Sequence, residues 1–277
     1  MSKPGDIQGQ PPVRPRPRTG PFPNLGDYLS QGFRVYGQRW QDWLVPMLLA
    51  GAVTLAALLC CCLPNFLVAG PLTCGLYACG LCTLRGQCFS ANTLWRNWTV
   101  AGRSILAHLV IALLTVLPML LLYAVSIGGF MLLTAMLASQ APQGPPAQPP
   151  AQPSGEEVAF IFAAMALLTL GGIAVMVWTF WIGTKTIFVM PLIADRDCGF
   201  STAWGMSWRE TRNHFWELLL LHVVGSLIAS LGVYVFYIGL IFTLPIYFTM
   251  IAAAYEHRFP FEAELTEDTG PSQPPGD

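Results

Sequence analysis

Apolar residues run along this chain in long blocks, broken by short stretches where arginine, tryptophan and proline collect. A helix needs about 20 apolar residues to cross roughly 30 Å of hydrocarbon. The pattern predicts six membrane-spanning helices, at about residues 43–63, 66–84, 104–124, 158–181, 215–233 and 238–255. Pro64-Asn65 separates the first two, and Arg85-Gly86 ends the second. The third block stays apolar to Ser139, too long for one straight crossing, so a kink or end is expected at Pro118 or Gly128-Gly129. Residues 130–138 then read as an outer extension. The fourth block stays apolar past Lys185 and Pro191 to Ala194, which predicts a helix that projects beyond the bilayer or bends along its surface. The last block is twice the length of a span and is expected to fold back between Leu231 and Gly239. The predicted class is all-α integral membrane, a six-transmembrane-helix bundle.

The polar residues between the blocks orient this topology. All 14 lysines and arginines fall on one side of a six-span model: Lys3, Arg14, Arg16, Arg18, Arg34 and Arg39 before the first span; Arg85, Arg96 and Arg103 between the second and third; Lys185, Arg196, Arg209 and Arg212 between the fourth and fifth; and Arg258 after the sixth. The opposite side carries Glu156 and Glu157. Positive charge stays cytoplasmic, so both termini are expected inside, in a cell (inner) membrane. All nine tryptophans also fall near that inner interface, as an aromatic belt would.

Three stretches before odd-numbered spans resemble one another: 25–43, 91–104 and 201–216. Each mixes Trp, Phe or Tyr with Arg and small polar residues, the composition of an amphipathic helix lying in the interface before spans 1, 3 and 5. Such helices suit two readings, anchors that any membrane protein needs or a device that grips or senses the inner leaflet.

Composition narrows the class. Charged residues make up 10% of the chain and the mean hydropathy is +0.53, against about 25% charged in soluble domains. The net charge of −1 excludes a nucleic-acid binder. No cleavable signal peptide is expected, because the first apolar run begins near Leu44 behind a basic, Pro-rich leader, 1–24, read as disordered. The membrane domain is expected to fill 25–260, with a Pro/Gln-rich outer loop at 140–156 and a disordered acidic tail at 261–277. The eight cysteines include a consecutive triplet, Cys60 to Cys62, that cannot converge on one metal, since successive helical residues point about 100° apart. Cys79 and Cys82 have redox-motif spacing without the βαβ context. The cysteines read as packing residues, and no metal or cofactor is expected.

Gly225, Gly232 and Gly239 recur every seven residues with Ala229 between the first two, a stripe that lets helix backbones approach closely. The same region carries a wider pattern: Pro191-Leu-Ile-Ala-Asp-Arg-Asp, Ser207-Trp-Arg-Glu-Thr-Arg, Asn213-His-Phe-Trp, Pro245 and Tyr255-Glu256. Gly70-Pro71-Leu72, Gly75-Leu76 and Arg85-Gly86-Gln87 look like a matching first-half signature. The pattern resembles uncharacterised bacterial multi-pass families, including the membrane domain found beside glycerophosphodiester phosphodiesterases. The resemblance covers roughly 25–260 and implies a topology but no reaction.

Candidates for chemistry are few. His108 and His222 lie within spans, and His214 and Glu217 share a helical face. Asp195-Arg196-Asp197 suggests a local ion-pair turn, or a headgroup site with Arg196, Arg209 and Arg212 on phosphate. No His-Glu-x-x-His, Gly-x-Ser-x-Gly or P-loop string occurs, so no catalytic residue is assigned and an enzyme is not expected. The leading expectation is a non-enzymatic inner-membrane protein that organises or senses lipid, or scaffolds a protein partner or a second copy of itself. The alternative is a transporter, or the membrane subunit of one.

Overall fold

A computed structural model describes residues 25–60, 63–87, 89–139, 155–234 and 238–259. The leader, the outer loop before Gly155 and the acidic tail lie outside the described residues. The helices are α1 (Leu25–Leu59), α2 (Leu63–Leu84), α3 (Ala91–Arg96) continued by a 3-10 turn (Asn97–Val100), α4 (Ala101–Ser139), α5 (Gly155–Lys185), α6 (Val189–Arg196), α7 (Phe200–Asn213), α8 (Phe215–Tyr234) and α9 (Leu240–Arg258). No strand occurs among the described residues, and six helical stretches are long and apolar enough to cross a membrane. The fold is all-α.

The helix ends refine the hydropathy reading. In α1 the backbone leaves helical geometry at Arg39 (φ −134°, ψ 26°), just before the apolar run. Helix α4 continues through Pro118 and Gly128-Gly129 for 39 residues, about 58 Å at 1.5 Å per residue. It neither ends nor breaks where the sequence suggested it would. Pro118 has no N–H to give the Leu114 carbonyl; the Trp178 indole N–H donates to that carbonyl instead, at 2.8 Å. A lipid-exposed helix tolerates proline when a neighbour satisfies the freed group. The fourth block is interrupted: α5 ends at Lys185 and α6 begins at Val189.

The chain divides into two compact units, one of residues 1–109 and 184–277 and the other of 110–183. In the first unit α2 is the most enclosed helix, and its glycines show why. A Cβ on Gly70 would lie 2.5 Å from the Ser104 carbonyl oxygen, and one on Gly75 would lie 2.6 Å from that of Leu94. Backbones of α3 and α4 therefore lie directly on α2. On the other side Gly80 faces Phe248 and Ala252 of α9. From Met250 to Tyr255 every side chain of α9 is fully buried. Helix α1 approaches α9 at Gly32, where Met250 takes the space of a side chain.

Helices α8 and α9 meet along the small-residue stripe. Gly225 faces the Tyr247 ring, Gly232 lies against the Leu240 amide, and a Cβ on Gly239 would fall 2.7 Å from the Gly232 carbonyl oxygen. The Ala229 carbonyl accepts the Thr243 hydroxyl at 3.1 Å. In the second unit the α4 and α5 segments meet at Leu122 and Gly171, and large apolar side chains such as Leu113, Leu120, Phe162 and Leu167 are exposed. A soluble fold would not leave such surface to water.

Candidate functional site

Polar side chains of the first unit gather where α2 and α9 end. Arg85, one residue past α2, makes the central contact. Its two terminal nitrogens donate to the two carboxylate oxygens of Asp195, at 2.7 and 2.9 Å, and its Nε donates to Glu256 at 2.5 Å. The Tyr255 hydroxyl donates to the same Asp195 carboxylate at 3.0 Å. This arginine–carboxylate fork clasps the ends of α2, α6 and α9. Asp195 is only 9% exposed, and Arg85 and Glu256 about a fifth. Burial opposes the Arg85 charge, but hydrogen bonds and attraction from Asp195, then Glu256, outweigh it and hold the guanidinium protonated well above its ordinary range.

Smaller ties surround this clasp. Arg39, at the kink in α1, donates to the Gln87 and Gly86 carbonyls just past α2. Arg103 binds Asp197 through its side chain and its carbonyl. Arg258 pairs with Glu217 at 3.1 Å and Glu210 at 3.5 Å, and His214 lies 3.6 Å from Glu217.

The expected local ion-pair turn at 195–197 is therefore corrected. Asp197 does form a turn, with a left-handed backbone (φ 49°) that ends α6. Its charge and that of Asp195, however, go to Arg103 and Arg85 on other elements. Side chains leaving a helix end point in different directions, so each found the cation that packing brought to it.

Helix α7 brings a second group together. Its buried edge is small and polar, Ala203, Ser207 and Thr211. The Ser207 hydroxyl donates to the Lys185 carbonyl at 2.8 Å and accepts the Phe188 N–H at 3.3 Å, so it fills the break between α5 and α6. Beside it Trp204 and Trp208 stack at 6.0 Å. The Lys185 ammonium lies 5.4 Å from the centre of the Trp208 ring and 5.2 Å from that of Phe215. Arg209 and Arg212 are exposed on the outer face of α7. Arg196 belongs elsewhere: its guanidinium lies over Phe259 at 5.7 Å.

Within the spans His222 meets the Tyr247 hydroxyl at 3.2 Å. His108 is half-buried in α4. Among the described residues no group of three His, Cys, Asp or Glu side chains is placed to hold a metal. Cys74 lies against the Met190 carbonyl and thioether.

Residues 158–257 match the family model of the membrane domain of glycerophosphoryl diester phosphodiesterase.

No curated protein and no solved structure matches the chain significantly. The chain is a multi-pass membrane protein. The match to the phosphodiesterase membrane domain begins in α5 and ends one residue short of the end of α9, so it carries Asp195, Tyr255 and Glu256 but neither Arg85 nor Arg103. It is narrower than the resemblance read across the whole membrane domain, and the first-half signature lies outside it. What it describes is a membrane domain and not a catalytic one. Arg85, Asp195 and Tyr255-Glu256 stand in separate strings of the sequence, and nothing in their spacing joins them; only Asp195, Tyr255 and Glu256 share the family match.

Proposed function

We propose that this chain is a non-enzymatic inner-membrane protein, with both termini cytoplasmic, that engages and organises anionic lipid through α7. One observation carries the reading. The exposed face of α7 presents Arg209 and Arg212 beside a pair of stacked tryptophans, and no carboxylate among the described residues pairs with either arginine. Basic side chains beside amphipathic rings suit the headgroup layer of an anionic leaflet. The arginine-clasped acids support the same reading, because they hold the helix ends in place and leave few carboxylates for acid–base chemistry. The absence of a catalytic string in the sequence points the same way.

The test is native mass spectrometry of the full chain, extracted in mild detergent beside an unrelated six-span protein. Selective retention of anionic lipid is expected, and substitution of Arg196, Arg209 and Arg212 together by glutamine should reduce it. Retention equal to that of the control, or unchanged in the triple variant, sinks the proposal; a stoichiometric non-lipid solute would favour transport instead.

A further inference from the structure

We infer that Lys185, Arg212 and the ring of Trp208 form a site for a phosphoryl group, foremost the phosphodiester of a lipid headgroup. The inference rests on the lipid reading of α7 and names the atoms that would do the binding, with Lys185 in the place the sequence suggested for Arg196.

Lys185 is held in position from both ends. Its carbonyl is bonded to Ser207, the residue as a whole is only 8% exposed, and its ammonium sits against Trp208 and Phe215. Arg212 follows Trp208 by four residues, one helical turn along the same face, and the Lys185 ammonium lies on that same Trp208 ring. Two cations thus flank one indole, and no carboxylate among the described residues forms an ion pair with either. The five acids between Lys185 and Phe259 are all engaged elsewhere. Asp195 and Glu256 hold Arg85, Asp197 holds Arg103, and Glu210 and Glu217 hold Arg258.

Two neighbouring cations without a counter-ion are favoured to share an anion. The missing partner must bring several acceptor oxygens, to bridge an ammonium and a guanidinium fork at once. A phosphoryl group has that geometry, with lysine as its point charge and arginine as its bidentate donor. Arg212 and Asn213 are exposed at the end of α7, which leaves it room. The stacked tryptophans set the site at headgroup depth.

The experiment titrates the full chain in non-ionic detergent with dioctanoyl phosphatidylglycerol, dioctanoyl phosphatidylcholine and inorganic phosphate, at constant low ionic strength. Phosphatidylglycerol should bind saturably, and Lys185→Met and Arg212→Gln should each weaken it by about tenfold, roughly one charge-assisted contact. Arg196→Gln should leave it unchanged. Arg212 is exposed, so its variant carries the test if Lys185→Met fails to fold. Phosphatidylglycerol binding that is unaffected by both variants overturns this site while the lipid reading stands. Binding of inorganic phosphate alone, lost in the same variants, supports the phosphoryl site and removes the lipid as its source. No preference for phosphatidylglycerol over phosphatidylcholine, together with no phosphate binding, overturns both.

Discussion

Asp195 accepts both arms of the Arg85 fork and the Tyr255 hydroxyl, so one carboxylate satisfies three donors from two other elements. Removing its charge leaves a half-buried guanidinium with Glu256 alone. Asp195→Asn is expected to lower stability by about 1–3 kcal/mol, the cost of breaking a partly buried charged network. The neighbouring pair offers a control. Asp197 is 74% exposed and Arg103 48%, and Asp197→Asn should cost only about 0–1 kcal/mol, because water and salt screen an exposed pair. Thermal unfolding of both variants in the same detergent decides the matter. Equal losses would mean that the clasp is no more than a surface pair.

At the scale of the element, α2 is fixed by what its glycines lack. The Ser104 and Leu94 carbonyls occupy the places where side chains on Gly70 and Gly75 would stand, and backbone cannot swing away as a long side chain can. Gly70→Ala and Gly75→Ala should each destabilise by about 1–3 kcal/mol, the usual cost of overpacking. Gly102 has open space around its Cβ position. There alanine should be neutral or stabilising by up to about 1 kcal/mol through helix propensity. Melting temperatures of the three variants give the comparison; a Gly102→Ala loss as large as the others would remove close approach as the cause. The α8–α9 reversal follows the same logic, since Gly232 and Gly239 meet backbone to backbone.

For the whole molecule, the proposed orientation places the turn between α1 and α2 outside and the polar clasp inside. Cys60 is exposed in that turn, whereas Cys74, Cys79 and Cys82 are buried. A membrane-impermeant maleimide should therefore label intact cells, and replacing Cys60, Cys61 and Cys62 by serine should abolish the labelling. Labelling that survives the triple replacement and is lost in Cys198→Ser would invert the topology, and with it the leaflet assigned to α7.

The all-α class and the six stretches long and apolar enough to cross a membrane were legible along the chain. Lipid imposes a local test: each helix must satisfy its own backbone and present about 20 apolar residues, and both requirements are met within a segment. The clasp was not legible, because its partners lie 110 and 171 residues apart. Which acid meets Arg85 depends on how far each helix is rotated and how closely glycines let it approach. Hydropathy places Arg196, Arg209 and Arg212 in one class of inner-side arginine. The fold sends Arg196 to Phe259, leaves Arg209 and Arg212 exposed on α7, and brings Lys185 from the end of α5 onto the Trp208 ring. Membrane insertion is thus written residue by residue, whereas the pairing of charges depends on side-chain directions that exist only once the helices have packed.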